Sequence, residues 1–252
     1  MQFIYTRLRE RARKIVAGLP SPDFYRNHRQ ACQISRRFFE NDPVIRKLRR
    51  YVSDNLEDDF GHGLQHAVRV TIDAGALLVI EDPAASRAQS ALERGLLVVQ
   101  CAGLLHDIRR KHKDHARLGA AYARKVLENY PFSAAEIEDI CRAIHNHEAF
   151  KAKIDCDTPG GLLVSNCLYD ADKFRWGPDN FTDTLWDMAS FINPPLSKFM
   201  ARYPRGMQVL ESIKATFRTD TGKKYGPQFI DIGLSAGREL YDVIQREYSA
   251  YL

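Results

Sequence analysis

Histidine and aspartate side chains stand at the ends of apolar segments in four places along this 252-residue chain. Imidazole and carboxylate groups are ligands for divalent metal ions, and helical bundles build such sites from side chains on facing helices. A single histidine at a helix end has a simpler explanation, because the helix dipole stabilises its charged form. The metal interpretation therefore depends on the four places together, which are His66, His106 with Asp107, His145 with His147, and Asp172.

The most apolar stretch of the chain leads into the second of these places. Between Leu96 and Leu105 only one residue is polar. A run of this length, preceded by helix-favouring residues, predicts a buried helix rather than a strand. We expect this helix to span 85–108 and to present an imidazole and a carboxylate side by side, at His106 and Asp107.

A second apolar helix is predicted to follow a glycine-containing loop and to run to about Ile80. His62 and His66 are four residues apart, so they would share one face of a helix, while Val68 and Ile72 belong to a separate apolar stripe. One histidine here would usually be structural. Two on one face favour a role in binding a metal or a phosphate group.

Cationic side chains accompany the candidate ligands. Arg69 follows His66, a run of cations begins at Arg109 and Arg110, and Lys173 adjoins Asp172. Such cations suit a phosphate group, with Lys173 the first candidate and Arg109 or Arg110 the next. For any one of them, a solvated surface position is an equally good explanation.

The remaining sequence predicts an all-α fold. Apolar residues recur at helical spacing nearly throughout, and alternating strand patterns are almost absent. Ser133 is a candidate N-cap for the helix that leads to His145. The turn-rich stretch 219–227 predicts a flexible connection. The other expected helices cover 1–19, 23–40, 43–55, 113–130, 182–192, 195–218 and 229–250.

Charge is unevenly distributed along the chain. The net charge is +5, but residues 1–50 carry 13 Lys or Arg against 4 Asp or Glu. A basic segment of this kind fits nucleic acid, a membrane surface or another subunit. A solvated helical face is the favoured explanation, because no nucleic-acid-binding motif is present.

The cysteines and the apolar segments bear on location. Five cysteines are scattered without a CxxC pair, which suggests neither a disulfide framework nor a thiolate zinc site. The apolar runs are too short to span a bilayer, and the first residues lack the apolar centre of a signal peptide. We therefore expect a cytoplasmic protein.

Three short motifs occur in series between residues 58 and 176. They are HxxRV at His66–Val70, LLHDI at Leu104–Ile108 and DADK at Asp170–Lys173. In order and spacing they resemble the HD superfamily of metal-dependent phosphohydrolases. The His-Asp pair alone is a weak signal, but three motifs in series, each on an apolar helix, are specific.

The resemblance implies an HD-domain helical bundle with extra N- and C-terminal helices. We expect a basic N-terminal extension over 1–55, a metal-binding core over 56–200 and C-terminal helices over 201–252 packed on the core.

The resemblance also implies a divalent metal, held by His66, His106, Asp107 and Asp172, with Asp170 behind them. The ion could be manganese, nickel, cobalt, magnesium, iron or zinc. Some relatives hold a second ion, for which His115 and His147 are the candidate ligands. The match to the binuclear pattern is partial, so one tightly held ion is favoured.

The activity that the resemblance implies is hydrolysis of a phosphate ester, in a nucleotide or a similar small molecule. Asp107 would support the catalytic metal, His62 would bind phosphate or protonate the leaving oxygen, and Lys173, Arg109 and Arg110 would offset the developing charge. Asp59, Asp114 and Glu148 are weaker candidates to orient ligand histidines. The stretch 174–181 is aromatic and could contact a base or simply pack.

Three other functions remain open from the sequence. A catalytically silent HD domain could bind a nucleotide or regulate a partner, although all four ligand positions are filled. The basic N-terminal segment could bind nucleic acid, which is not favoured. A di-iron oxygenase is a remote alternative that would need both His115 and His147 as ligands. The chain could also form oligomers.

Overall fold

The protein is all-α, as predicted. The computed structural model describes residues 2–56, 63–82 and 88–252, and within these ranges every regular element is helical. A five-residue π-helical segment, Asn180–Thr184, precedes the tenth helix. The helices are α1 Gln2–Ala17, α2 Asp23–Asn27, α3 Arg29–Asn41, α4 Pro43–Asn55, α5 Leu64–Glu81, α6 Gln89–Leu105, α7 His115–Leu127, α8 Ala134–His145, α9 Pro159–Phe174, α10 Leu185–Ile192, α11 Leu196–Ser212 and α12 Asp220–Glu247.

Side-chain caps fix the starts of several helices. Ser133 caps α8, as predicted: its hydroxyl accepts from the backbone N–H of Glu136, whose carboxylate accepts in return from the backbone N–H of Ser133. Asp42 caps α4 by accepting from two backbone N–H groups, ahead of a proline at the first helical position. These contacts satisfy donors that have no partner within the helix itself.

The centre of the fold is a close contact between α5 and α6, with α9 packed against both. Gly103 of α6 lies on α5 so tightly that a Cβ atom there would stand 2.7 Å from the hydroxyl oxygen of Thr71 and 2.8 Å from its Cα. Only glycine permits this approach. It brings the end of α6 beside the start of α5, which places His106 next to His66.

A buried polar network ties α9 to α5 and to the N-terminal helices. Arg175, just after α9, lies 2.5 Å from the Asp73 carboxylate and donates to the Tyr25 hydroxyl at 2.6 Å. Tyr25 in turn donates to Asp73 at 2.9 Å. Because Arg175 and Asp73 are both buried, removing either one would leave an uncompensated charge in the interior.

The N- and C-terminal helices share the core with the central ones. Tyr5, Leu8 and Phe24 are fully buried and belong to the same hydrophobic cluster as α5, α6 and α9. The hydrophobic packing is therefore continuous across residues 55 and 200. The division of the chain into domains at these residues stays a prediction. Among the described residues, no helix has the length and apolar character needed to cross a membrane.

The expectation of a flexible connection over 219–227 was wrong, because α12 begins at Asp220. Thr219 caps this helix, accepting from the backbone N–H of Gly222 at 2.8 Å. Asp170 fastens the same turn by accepting from the backbone N–H groups of Arg218 and Thr219 and from the Thr219 hydroxyl, at 2.7–2.9 Å. Tertiary contacts here override the turn-forming tendency of glycine and proline.

Other helix boundaries also differ from the prediction; α11, for example, ends at Ser212 rather than at 218. The region 23–40 holds two helices, since the backbone turns at His28, whose ring packs between Phe24 and Tyr225. Helix α6 ends at Leu105 rather than at 108. There the Gly103 carbonyl accepts from the His106 ring, and the backbone continues in turns through residue 111.

We predict that Gly103→Ala lowers the free energy of unfolding by about 1–3 kcal/mol, because the added methyl group overlaps the backbone of Thr71. The matched control is Gly206→Ala, also within a helix, where no atom lies within 4 Å of the added Cβ. That change should raise stability by about 0.5–1 kcal/mol. Urea denaturation of both variants tests the pair, and equal effects would contradict the close contact.

Candidate metal centre

Four predicted ligands converge where α5, α6 and α9 meet. The Nε2 atom of His66 lies 3.3 Å from Nε2 of His106 and 3.3 Å from Oδ1 of Asp172. Nε2 of His106 lies 3.4 Å from Oδ2 of Asp107, and the other ion-pair distances within the group are 3.8 Å. Donor atoms that share one ion at about 2.0–2.2 Å stand about 3–3.5 Å apart. His66, His106 and Asp107, whose donor atoms all lie within 4.8 Å of one another, fit a divalent metal, and Asp172 lies beside both rings.

A second group of donors lies on the other side of Asp107. Its Oδ1 is 3.6 Å from Nε2 of His115 and 3.5 Å from Nε2 of His147, and the two ring nitrogens are 3.2 Å apart. We call His66, His106, Asp107 and Asp172 the first site, and Asp107, His115 and His147 the second triad. Asp107 offers one oxygen to each.

Backbone carbonyls orient two of the ligand rings. Nδ1 of His106 donates to the Gly103 carbonyl at 2.7 Å, and Nδ1 of His147 donates to the Ile144 carbonyl at 2.6 Å. Because a carbonyl can only accept, each Nδ1 carries a proton, and each ring turns Nε2, the nitrogen that a metal would use, toward the centre. The sequence did not predict these acceptors, although both lie three residues before the histidine at a helix end.

Carboxylates were predicted to orient ligand rings, and one of the three candidates lies in position. Oε1 of Glu148 stands 3.9 Å from Nδ1 of His115. Asp114 precedes α7, and its side chain does not cap that helix. Asp59 lies outside the described residues. These roles stay predictions.

Lys173 keeps Asp172 ionised. Its ammonium group is 2.5 Å from Oδ2 of Asp172, while Oδ1 of Asp172 faces the histidines. Burial would raise the pKa of Asp172, but Lys173 and the neighbouring His66 hold it well below its ordinary value. Lys173 is itself buried, between the rings of Tyr169 and Trp176 at 5.1 and 5.3 Å. Its contacts are therefore with a ligand rather than with solvent.

The ligand histidines differ in proton affinity. Burial lowers the pKa of His66, and it lowers the pKa of His115 to about 3. Burial acts in the same direction on His106, but attraction to Asp107 and Asp172 outweighs it, so the pKa of His106 is raised. Among these three rings, His106 therefore has the highest affinity for a proton, which competes with a metal ion for the ring.

The predicted phosphate-binding cations lie in different places. Nη1 of Arg110 donates to Nε2 of His115 at 2.7 Å, so Arg110 lies at the second triad. The Arg109 guanidinium lies 4.0 Å from the centre of the Tyr122 ring. Arg69 pairs with the carboxylates of Asp179 and Asp183, each at 3.3 Å.

Two further sequence predictions concern the surroundings of the centre. His62 lies outside the described residues, so its role stays a prediction. In the aromatic stretch 174–181, Phe174 and Phe181 are buried, and Phe174 stacks on Phe229 with ring centres 4.1 Å apart. These two rings pack the core, whereas Trp176 is only partly buried.

We predict that metal affinity falls about tenfold per pH unit once the pH drops below the raised pKa of His106, because one proton then competes with the ion. Competition with a chromophoric chelator between pH 8.5 and 5.5 measures this. His112→Ala removes an exposed histidine of the nearby loop and should leave the profile unchanged. Affinity that stays constant down to pH 5.5 would contradict this assignment.

Comparison with known proteins gives one family match and one similar solved structure. The HD domain family model matches residues 63–175, which contain all six proposed ligands. No curated protein matches the chain significantly. A crystal structure of a predicted HD superfamily hydrolase from an uncultured Thermotogales bacterium is similar at 22% identity, covering 86% of this chain and 98% of that one with a TM-score of 0.48.

The family match covers the three motifs on which the resemblance was based, and it confirms that resemblance. Residues 63–175 match the HD domain family, the family that the three motifs indicate.

Proposed function

We propose that this protein is a metal-dependent phosphohydrolase that cleaves a phosphate ester of a nucleotide or a similar small molecule. The observation that carries the proposal is the first site, where the ring nitrogens of His66 and His106 stand 3.3 Å apart and each lies 3.3–3.8 Å from one oxygen of Asp107 and one of Asp172. A purely structural cluster has no need to bring two imidazole rings and two carboxylates so close.

The side chains at this site hold and tune a cation. His66 and His106 contribute neutral nitrogens, and Asp107 and Asp172 contribute negative charge. Lys173 fixes Asp172 so that one oxygen faces the histidines while the other accepts from its ammonium group. A divalent ion held there supplies Lewis-acid activation of water and of a phosphoryl oxygen.

The chain also offers a cation for the phosphate. The Arg110 side chain is 29% exposed, whereas that of Asp107 is 3% exposed, so Arg110 lies between the buried donors and solvent. As a water oxygen bonds to phosphorus and the ester P–O bond breaks, Arg110 would offset negative charge on the phosphoryl oxygens. His62 keeps its proposed role as proton donor to the leaving oxygen.

The nucleotide part of the proposal rests on chemistry near Asp172. Trp176 is the partly exposed aromatic ring of the stretch that follows this ligand, and it can offer a face to a base. Phe174 and Phe181 serve the core instead. A small phosphorylated substrate and a cytoplasmic location complete the proposal.

We predict that His106→Ala and Asp107→Ala each lower kcat/KM by at least about 10³, because each change removes a ligand of the catalytic ion. Purified protein loaded with manganese, nickel, cobalt or magnesium would be assayed on nucleoside monophosphates and on p-nitrophenyl phosphate. His145→Ala is the matched control, since this histidine ends α8 outside both groups of donors, and it should act within about twofold of the unmodified protein.

Three results would be informative. Turnover that is lost with the ligands and kept in the control supports the proposal. Turnover that survives His106→Ala contradicts it. If the protein binds nucleotides but none of the four metals supports turnover, it is instead a catalytically silent HD domain.

A further inference from the structure

The second triad already has a cation beside it. Nη1 of Arg110 stands 2.7 Å from Nε2 of His115 and 3.9 Å from Oδ1 of Asp107. A guanidinium group has only donors, so Nε2 of His115 is the acceptor. Its lone pair, which a metal ion would need, is directed at Arg110.

The position of Arg110 is built into the turn that carries Asp107. The backbone N–H of Arg110 donates to the Asp107 carbonyl at 2.9 Å, which fixes the start of the side chain three residues after the shared ligand. His115 and His147 are held from the other side, by α7 and by the turn after α8, and both are buried. The guanidinium therefore covers the solvent-facing side of the triad.

A second ion and this guanidinium compete for the same donors. An ion bound by all three triad atoms would need the lone pair of His115 and would place two positive charges within a few ångströms of Arg110. Repulsion at that distance is strong where water is scarce. Arginine stays protonated at every ordinary pH, so proton loss cannot relieve the conflict.

We propose that Arg110 keeps the second triad closed to a tightly bound second ion and that its guanidinium stands in that ion's place, facing the substrate. This inference rests on the proposed function for the role toward substrate, but the exclusion of the ion stands on geometry alone. Both contacts use Nη1, so Nε and Nη2 can still donate to phosphoryl oxygens. Arg110 then balances the negative charge of Asp107, and Lys173 balances that of Asp172, before any ion binds.

The test titrates metal-free protein with manganese and counts the ions that bind. Elemental analysis and electron paramagnetic resonance are the readouts. The unmodified protein should hold one tight ion with the spectrum of an isolated centre. Arg110→Met keeps the length of the side chain and removes its charge. It should bind a second ion at least tenfold more tightly than the unmodified protein does and show the signal of two spin-coupled ions.

Two further variants locate the effect. Arg109→Met removes the neighbouring arginine and should leave one tight ion. Combining Arg110→Met with His147→Ala should return the count from two to one, which assigns the gained ion to the second triad.

The outcomes separate this inference from the proposed function. Two equally tight ions in the unmodified protein, or one ion in Arg110→Met with the first site intact, would overturn the role of Arg110 and leave the metal centre standing. No tight ion in any of these proteins would overturn both.

Discussion

The two groups of candidate ligands share one buried carboxylate, that of Asp107. Asp107 is 2% exposed, and its oxygens face histidines from opposite directions. An ionised carboxylate in the interior must be balanced by positive charge or neutralised by a proton. Here a cation in the first site and the guanidinium of Arg110 can supply that balance. The side chains that surround this group come from α5, α7 and α9 and from the turns after α6 and α8.

The packing that brings the ligands together depends on a few contacts away from them. Gly103 lets α6 approach α5, and its carbonyl also orients the ring of His106. The two aspartates of the DADK motif contact different parts of the structure. Asp170 accepts hydrogen bonds at the start of α12, whereas Asp172 faces the histidines. Lys173 then secures the charge of Asp172. Adjacent residues of one motif thus serve the fold and the site separately.

Much of this arrangement could be predicted from the sequence. Apolar periodicity predicted the helices, and the order of the three motifs predicted the HD domain. Local pattern failed where tertiary contacts decide, as at 219–227, where a capping threonine and the buried Asp170 stabilise a helix through glycine and proline. It could not distinguish Arg109 from Arg110 either. Adjacent arginines look alike in sequence, yet one lies on the Tyr122 ring and the other on His115.

The most direct test of the account is an anomalous difference map from crystals grown with manganese. The account predicts a strong peak within bonding distance of His66, His106, Asp107 and Asp172. A map with no peak among these four side chains, or with manganese bound only elsewhere on the chain, would contradict the claim that they form a metal centre.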